Sequence, residues 1–409
     1  MKILLITSLY PVEGISYWPE TTNAIHDLVK YWTNDHDVMC IVDFRHTVTR
    51  PGLLLHKETI LNLSGVDYCY TKDSVSAYLL EHFHIPMQNQ MNAGQVYRYS
   101  ERINKILKES SFAPDIVVAH MPLFGDIITY IDKINVACPK AAVLHCSDCK
   151  AKNINDRVRQ LAVKFDIIFT RSQSIYRFFS GYNLKNLVKK PIYSGVPQIT
   201  REHKRSFKNL KQRKVKLLYA GSLIKQKGVS TILQGVTVIA QETDFVLDII
   251  GVGKEENQLK KQVKQNHLNN KVNFWGKCSR DKVYEKMGNA DIFIMVSANE
   301  TLGLVYLEAM RNGCIVIGSR NEGIDGIIIN GVNGFLVDAL NASQLADCLR
   351  DILTMPESQL TAISEQAVET GKYYNESDIS DYYLQQLKKV RKSSLTAIMQ
   401  TEKDDYDGN

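Results

Sequence analysis

The chain has 409 residues, of which 44% are hydrophobic and 23% are charged, a composition typical of soluble globular proteins. Because single hydrophobic cores stop growing beyond roughly 250 to 300 residues, this length favours two domains over one. Lysine and arginine outnumber aspartate and glutamate by 50 to 44, which gives a net charge of +6. This mild surplus permits attraction to anionic phospholipid or phosphorylated substrates, whereas the lack of zinc-finger and RNA-binding signatures argues against a nucleic-acid partner.

The sequence gives no sign of a targeting or membrane-spanning segment. No apolar run reaches the 18 or so residues needed to span a bilayer. Residues 1–8 resemble the start of a signal peptide, but the apolar core is too short and no small-residue cleavage site follows. The eight cysteines lie mostly in apolar surroundings, as expected for free thiols in a reducing cytosol. We therefore expect a cytoplasmic protein and leave peripheral contact with the inner membrane face open.

One cluster, His145-Cys146-Ser147-Asp148-Cys149, has the spacing of metal ligands. Structural zinc sites usually draw their four ligands from two such pairs. No second pair with matching spacing accompanies this one, and Cys138 is the only other cysteine nearby. We therefore predict no metal site and no resident cofactor.

The first half of the chain alternates apolar runs, predicted as strands, with helical patterns. The strands are predicted at residues 2–7, 38–42, 116–119, 141–145 and 167–170, and the helices at residues 20–32 and 97–108. Residues 43–95 follow no clear pattern. Because they are rich in histidine, tyrosine and proline, we interpret them as a variable insertion that faces the substrate.

Two positions in the first half are candidates because ligands bind at the carboxyl ends of parallel strands in such folds. The loop at residues 8–19, which contains Gly14, is unusually long for a strand-to-helix connection and is a candidate ligand-binding loop. His120 follows the strand at residues 116–119, where we expect its ring to face the space between two domains, and it is a candidate catalytic residue. The alternatives are a structural surface loop and a structural histidine.

Residues 198–214 show no sustained apolar face and accumulate basic side chains. The basic residues are Arg201, Lys204, Arg205, Lys208, Lys211, Arg213 and Lys214. The simplest interpretation is a solvated linker between an N-terminal domain at residues 1–197 and a C-terminal domain at residues 215–375. A basic patch that touches a membrane or an anionic substrate is the alternative.

The second half alternates more regularly. Strands are predicted at residues 215–220, 245–250, 272–275, 291–296, 314–318 and 334–337, and helices at residues 229–240 and 281–287 and beyond residue 341. Repeated strands and helices joined by short turns indicate a parallel sheet covered on both faces. The predicted fold class is therefore α/β, with two doubly wound, Rossmann-like domains.

The last helical pattern, at residues 376–398, carries basic residues beside its apolar positions. We expect this helix to pack back on the N-terminal domain, and a basic amphipathic helix lying on a membrane is the alternative. The tail at residues 399–409 is expected to be disordered.

Residues 298–310, ANETLGLVYLEAM, carry the most informative pattern in the chain. Glu300 follows the strand predicted at residues 291–296, and Glu308 is expected about two turns into the next helix. At a rise of about 1.5 Å per residue, the two carboxylates lie about 12 Å apart along one helix face. Between them the backbone amides open a helix, and helix N-termini bind anions. This layout suits the sugar, diphosphate and ribose hydroxyls of one extended ligand.

Five motifs follow one another in the second half of the chain: AGSLIKQKG at residues 220–228, GVG at 251–253, NFWG at 273–276, ETLGLVYLEAM at 300–310 and GVNGFLV at 331–337. Together they resemble the retaining GT-B glycosyltransferases of the "glycosyl transferases group 1", or family 4, class. The resemblance covers most of residues 215–353 in the right order and is weaker over residues 1–197. It implies two Rossmann-like domains that face an interdomain cleft, an N-terminal one that binds the acceptor and a C-terminal one that binds the nucleotide sugar. The loop that contains Gly14 is then a donor or acceptor loop.

The resemblance also implies roles for individual residues. Glu300 positions hydroxyls of the donor sugar, Glu308 holds the nucleotide ribose, and Lys227 contacts the diphosphate. The backbone amides of the next positions face the sugar and phosphate, and the donor site is completed by two glycine-rich loops. These further donor-binding residues are Thr301, Leu302, Gly303, Leu304, Ser222, Lys225 and Gly253. Many relatives have arginine where Ser222 stands, and serine supplies no charge. Lys227 is therefore expected to provide more of the stabilisation of the leaving diphosphate, with Lys225 as a substitute cation.

As the bond between sugar and phosphate breaks, negative charge develops on the departing diphosphate, and fixed donors that are aimed there stabilise it. The expected substrates are a nucleotide-diphosphate sugar donor and a saccharide or lipid-linked acceptor, in bacterial surface polysaccharide synthesis. No divalent metal is then required. Resemblance further implies retention of anomeric configuration and domain closure that excludes water.

Other classes of protein fit less well. The carboxylates of a glycoside hydrolase flank one bond at roughly 5 to 9.5 Å, which two glutamates spaced along a helix do not match. A nicotinamide-dependent dehydrogenase needs a G-x-G-x-x-G motif, which residues 251–256 do not complete. A non-catalytic, sugar-nucleotide-binding partner of another transferase and a hydrolase are kept as alternatives.

Overall fold

The computed structural model describes residues 1–12, 23–47, 68–84, 91–198, 206–208 and 210–406. The chain divides into two compact units. The first unit comprises Met1–Arg171, Ile175–Ser194 and Ile379–Asn409, and the second comprises Ser172–Ser174 and Gly195–Asp378. None of the helices in these described ranges is long and apolar enough to cross a membrane.

The first unit is built on a seven-stranded sheet with the order β3-β4-β2-β1-β5-β6-β7. The strands are β1 Lys2–Thr7, β2 Asp37–Thr47, β3 Tyr68–Lys72, β4 Val75–His84, β5 Ile116–His120, β6 Lys140–Leu144 and β7 Ile167–Thr170. All neighbours pair in parallel except β3, which forms an antiparallel hairpin with β4. Continuous apolar runs such as Ile3 to Ile6 are fully buried, as expected for strands covered on both faces.

The helices of the first unit cover this sheet. They are His26–Val29, which continues as a 3-10 turn at Lys30–Asn34, then Ala93–Glu109, Ile127–Tyr130, Ile154–Lys164, Gln173–Ser180 and Glu376–Tyr406. A reciprocal capping box between Asn92 and Gln95 starts the second of them, because it satisfies two backbone donors that have no helical partner.

The last helix packs on the first unit through three kinds of contact. Ser380 donates to the Leu28 carbonyl at 2.6 Å, and Trp32 Nε1 donates to the Ser380 carbonyl at 3.2 Å. Further along, Arg391 pairs with Asp115 at 2.7 Å. Tyr383 and Leu387 on this helix are fully buried. The C-terminal helix therefore contributes to the core of the first unit.

The second unit has a six-stranded parallel sheet with the order β10-β9-β8-β11-β12-β13. The strands are β8 Val215–Ala220, β9 Phe245–Ile250, β10 Val272–Gly276, β11 Ile292–Ile294, β12 Ile315–Arg320 and β13 Phe335–Asp338. The helices are Val229–Ile239, Glu256–Gln265, Arg280–Asn289, Leu304–Arg311, Ala342–Thr354 and Glu357–Tyr373. This strand order is that of a doubly wound dinucleotide-type fold, with its reversal between β8 and β11. The predicted fold class of two doubly wound α/β units is confirmed.

Four local expectations need correction. Part of the unassigned stretch at residues 43–95 forms the β3-β4 hairpin. Of the helix expected at residues 20–32, residues 20–22 lie outside the described part of the chain, residues 23–25 form a turn and the helix begins at His26. The segment expected to be a solvated linker buries Phe207 and Leu210. The tail is helical as far as Tyr406, since no glycine or proline interrupts the sequence before Gly408.

Candidate functional site

The candidate site of the second unit lies where the sheet order reverses. β8 and β11 are adjacent parallel strands, but the chain leaves them toward different sides of the sheet, and this switch point is where open α/β sheets bind ligands. The loop after β8 carries Lys227, and the loop after β11 carries Glu300. The structure therefore brings together two residues that are 73 positions apart in sequence.

The two loops are held together by their backbones. The Ala298 N–H donates to the Gln226 carbonyl at 2.7 Å. Gly228 has a φ of +71°, and a Cβ there would lie 2.7 Å from the Val296 carbonyl oxygen. Only glycine combines this left-handed conformation with so close an approach. The 3-10 turn Lys225–Lys227 is thereby fixed beside the loop that carries Glu300.

Lys227 and Glu300 form an ion pair between Nζ and Oε2. Their side chains are 25% and 15% exposed, respectively, so the pair is shielded but open to a ligand. The backbone of Glu300 is also fixed, because its N–H donates to Glu322 Oε2 at 2.8 Å and its carbonyl accepts from the Gly323 N–H at 3.1 Å. The sequence reasoning missed Glu322, which lies 22 positions away with no motif to mark it.

The helix that follows begins at Leu304 and ends at Arg311. Gly303 precedes it with a φ of +79°, and a Cβ there would lie 2.7 Å from the Tyr306 ring. Tyr306 is fully buried and donates to the Met295 carbonyl at 2.5 Å. Because the helix begins so late, Glu308 is its fifth residue, about one turn in, and the prediction of two turns was wrong. Thr301, Leu302, Gly303 and Leu304 form the turn into this helix, as expected.

The Glu308 carboxylate is held by two side chains from the helix Arg280–Asn289. Arg280 donates to Glu308 Oε1 at 2.9 Å, and the Tyr284 hydroxyl donates to the same oxygen at 3.1 Å. Burial raises the pKa of Tyr284, and the neighbouring Glu308 raises it further, so its hydroxyl stays protonated as a donor. The sequence reasoning missed both residues, which lie 28 and 24 positions from Glu308.

The loop after β9 packs tightly against the loop after β8. A Cβ on Gly253 would lie 2.3 Å from the Leu223 carbonyl oxygen, and the Leu223 N–H donates to the Val252 carbonyl at 2.9 Å. Ser222 and Lys225 are exposed at this edge, and the Ser222 carbonyl accepts from the Tyr219 hydroxyl at 2.8 Å. The predicted donor-binding residues of the second unit therefore lie on adjoining loops at one edge of the sheet.

His120 belongs to the first unit, at the carboxyl end of β5, and it is fully buried. Its Nδ1 lies 3.1 Å from His145 Nε2, and its Nε2 lies 3.2 Å from the Tyr383 hydroxyl. Burial lowers the His120 pKa well below its usual value, and the nearby His145 and Arg171 lower it further. The expected open position is thus corrected to a buried one, because the last helix covers the ring. A catalytic role for His120 stays a prediction, and Gly14 lies outside the described residues.

The cluster with metal-ligand spacing is used for local structure. Asp148 accepts backbone N–H bonds from Leu123, Phe124 and His145, each at 2.8 Å. Burial raises the pKa of Asp148 to about 7, although these three bonds oppose the shift. In the described part of the chain, no group of three or more His, Cys, Asp or Glu side chains is placed to hold a metal ion.

Two doubly wound parallel-sheet units in one chain define the GT-B class of folds. The crystal structure of Anabaena Alr3699/HepE in complex with UDP has the same fold, with a TM-score of 0.66 and 16% identity over 95% of this chain and 100% of that one.

Residues 200–369 match the model of the family described as "Glycosyl transferases group 1". The matched residues are fewer than half of the 409 residues and lie within the second unit, so the similarity to this family is a property of that part of the chain.

Two curated relatives match parts of the chain. The N-acetyl-alpha-D-glucosaminyl L-malate synthase of Bacillus anthracis is 34% identical over 131 residues, which are 32% of this chain and 34% of that protein. The lipopolysaccharide core biosynthesis glycosyltransferase LpsE of Rhizobium meliloti (strain 1021) is 31% identical over 169 residues, or 41% of this chain and 48% of that protein. The chain thus spans about a third to a half of the length of these relatives.

Proposed function

We propose that this protein is a retaining, metal-independent glycosyltransferase. It would move a sugar, such as a hexose, from a nucleotide-diphosphate donor to a hydroxyl of a saccharide or lipid-linked acceptor. The observation that carries the proposal is the pairing of Lys227 with Glu300 at the switch point of the second sheet. This position is the ligand site of doubly wound folds, and the two charges match the two parts of a sugar diphosphate.

The pair offers the donor two kinds of contact, the Lys227 cation for the diphosphate and the Glu300 carboxylate for the sugar. When the diphosphate takes Lys227, Glu300 is released to accept hydrogen bonds from sugar hydroxyls. Ser222 and Lys225 are exposed beside Lys227 and would add donors for the phosphates. Because Lys227 is only 25% exposed, its charge is screened less than that of a surface lysine.

Transfer breaks the bond between sugar C1 and the phosphate oxygen and forms a bond between C1 and the acceptor oxygen. The acceptor proton passes to a phosphate oxygen of the departing nucleoside diphosphate. Negative charge on that group is greater in the transition state than in the substrate, so Lys227 and the amides at residues 301–304 lower the barrier. This fixed positive potential supports a metal-independent reaction. Retention follows when the acceptor approaches on the face that the diphosphate leaves.

The substrate class is supported by the relatives. The HepE structure contains UDP, and LpsE acts in lipopolysaccharide core biosynthesis. By analogy, the donor here is a nucleoside diphosphate sugar and the acceptor is a growing polysaccharide or a lipid-linked saccharide. The net charge of +6 is compatible with peripheral contact at an anionic membrane surface.

The first test is a thermal-shift screen with UDP, GDP, ADP, CMP and their sugar derivatives. A nucleotide at 100 times its Kd stabilises the native state by about 2.7 kcal/mol, so one base is expected to raise Tm clearly above the others. Transfer from the matching sugar nucleotide is then measured in EDTA, and the anomeric configuration of the product is determined by NMR. Inversion of configuration, loss of transfer in EDTA, or no response to any nucleotide would each contradict part of the proposal.

A further inference from the structure

The Glu308 carboxylate is held through only one of its two oxygens. Oε1 accepts from Arg280 at 2.9 Å and from the Tyr284 hydroxyl at 3.1 Å. Within the described ranges, no side chain or backbone donor contacts the other oxygen, Oε2. A carboxylate accepts about four hydrogen bonds, so the unused oxygen keeps its full capacity for a ligand. The glutamate itself is only 14% exposed.

The two donors also fix one another. Arg280 Nε donates to the Tyr284 hydroxyl at 2.8 Å, and its guanidinium lies 5.6 Å from the centroid of the Tyr284 ring. They are neighbours because residues four apart face the same side of a helix. Ser279 caps this helix through the Lys282 N–H, which places Arg280 at its first position. Arg280, Tyr284 and Glu308 thus close a triangle of hydrogen bonds.

The triangle also sets the net charge of this part of the site. A lone glutamate beside a nucleoside diphosphate would repel its phosphates. Arg280 forms an ion pair with Glu308, and the pair is close to neutral toward an anionic ligand. A neutralised carboxylate still accepts hydrogen bonds, so it favours uncharged hydroxyl donors over a second anion.

We propose that Arg280 and Tyr284 are positioning residues that hold Glu308 so that Oε2 accepts hydrogen bonds from the 2′- and 3′-hydroxyls of the donor ribose. The site then selects ribonucleotides over 2′-deoxyribonucleotides. The inference rests on the proposed function: the ribose contact of Glu308 is what the family resemblance implies, and the structure adds the two residues that position this glutamate. Neither residue touches the reacting atoms, so they act on nucleotide affinity rather than on the chemical step.

The test measures Kd by calorimetry for UDP, GDP and ADP and for their 2′-deoxy counterparts. For the base that binds, the wild type is expected to prefer the ribonucleotide by about tenfold, the effect of one charge-assisted hydrogen bond. Arg280→Ala is expected to weaken binding of both nucleotides, because both keep the 3′-hydroxyl and the phosphates, but to weaken the ribonucleotide more, so that its preference falls from about tenfold to about twofold. Tyr284→Phe removes one neutral donor, so a change of about threefold is expected.

Kinetics and a control variant separate positioning from general damage. For Arg280→Ala, KM for the sugar nucleotide should rise while kcat stays within about twofold, and Arg280→Lys should recover part of the affinity because it keeps the charge. Lys282→Ala is the matched control, since Lys282 is on the same helix and contacts Glu285 and the Trp275 ring rather than Glu308. It should leave the ribose preference unchanged, and Tm of every variant is measured to establish that it is folded.

The outcomes distinguish this inference from the proposed function. A ribose preference that survives both Arg280→Ala and Tyr284→Phe overturns the inference, as does an equal loss of affinity for both kinds of nucleotide. In either case nucleotide binding by the wild type still supports the proposed function. If the wild type binds none of UDP, GDP and ADP, the proposed function fails and the inference fails with it.

Discussion

The two units of this chain share one sheet plan but use its reversal point differently. In the first unit the order reverses between β1 and β5, and in the second between β8 and β11. At the first point His120 is fully buried against Tyr383. At the second, Lys227 and Glu300 remain 25% and 15% exposed. The topology supplies the location in both cases, and the side chains that line it decide whether it can accept a charged ligand.

The difference has an identifiable cause in the first unit. The last helix places Tyr383 against His120, Phe169 and Trp32. Four aromatic or heteroaromatic rings therefore pack where the second unit presents charges. Buried rings of this kind contribute stability through packing, whereas a site for phosphates needs donors that a ligand can reach.

The largest expected effect is on Glu300. On the proposed function Glu300 contacts the reacting sugar, so Glu300→Ala should reduce kcat/KM for transfer by about a thousandfold or more, equivalent to roughly 4 kcal/mol of barrier. Tm should fall by little, because the side chain is not part of the core. Glu365→Ala, an exposed glutamate on the helix Glu357–Tyr373, serves as the control. Near-normal turnover of the Glu300 variant would show that the site at the switch point between β8 and β11 takes no part in transfer.

Lys227→Ala should lower kcat/KM by about a hundredfold, since it deletes a charge that faces the leaving diphosphate. Ser222→Ala, on the same loop, should cost less than about fivefold because a hydroxyl supplies no charge. Both variants are measured with the same sugar nucleotide at several salt concentrations. Equal and small effects would place the diphosphate elsewhere.

Gly253→Ala tests the backbone contact between the loops after β8 and β9. The added Cβ would meet the Leu223 carbonyl oxygen at 2.3 Å, so the backbone must shift, at a cost of about 1 to 3 kcal/mol in unfolding free energy. Donor affinity should weaken as well. Gly94→Ala in the first unit is the control, because its Cβ would meet nothing closer than 3.5 Å. Urea unfolding measures the free energy of unfolding of both variants. If Gly253→Ala has the same free energy of unfolding as the wild type, the two loops can move apart at no cost.

The smallest effect is a pH dependence confined to the first unit. Burial lowers the pKa of His120 and His145 well below 6.5, so the unfolded chain takes up protons first as pH falls. Stability is therefore expected to drop below about pH 6.5, by at most about 1.4 kcal/mol per pH unit for each ring. His120→Asn should flatten this slope in urea unfolding measured from pH 7.5 to 5.5.

Asp148 contributes to the same titration with the opposite sign. Burial raises its pKa to about 7, so the folded state binds that proton more tightly and gains stability as pH falls through 7. Since Asp148 is present in both proteins, the difference between wild type and His120→Asn isolates the histidine. An identical slope in the two would show that His120 is protonated in the folded state.

Local patterns predicted most of the second sheet. The strands Val215–Ala220 and Phe245–Ile250, and Ile167–Thr170 in the first unit, have the predicted bounds, because apolar runs between turn residues identify buried parallel strands. Glu300 and Lys227 were selected as candidates from sequence, since both lie in motifs, and the structure brings them together. Arg280, Tyr284 and Glu322 were missed, because each reaches its partner across more than 20 positions and no periodicity records such a contact.

The first unit was harder for a related reason. The β3-β4 hairpin forms an edge of the sheet through pairing with β2. Val75, Ala77 and Leu79 alternate as buried apolar residues along β4, but this run is short and its partner β3 is mostly exposed and polar or aromatic, so the signal was missed. The burial of His120 depends on Tyr383, which lies 263 residues further along the chain. No argument from the residues around His120 alone could place that ring.

The sequence by itself determined the α/β class and the two doubly wound halves, and it marked Glu300, Glu308 and Lys227 as candidate site residues, because strand periodicity, turn residues and short motifs are local. Only the tertiary structure decided which of those residues meet, which stay open and which are sealed. In this structure Lys227 pairs with Glu300, and the last helix buries His120. Such contacts between distant segments depend on the order of the strands in each sheet and on which helix covers each edge, and neither is recorded in a local pattern.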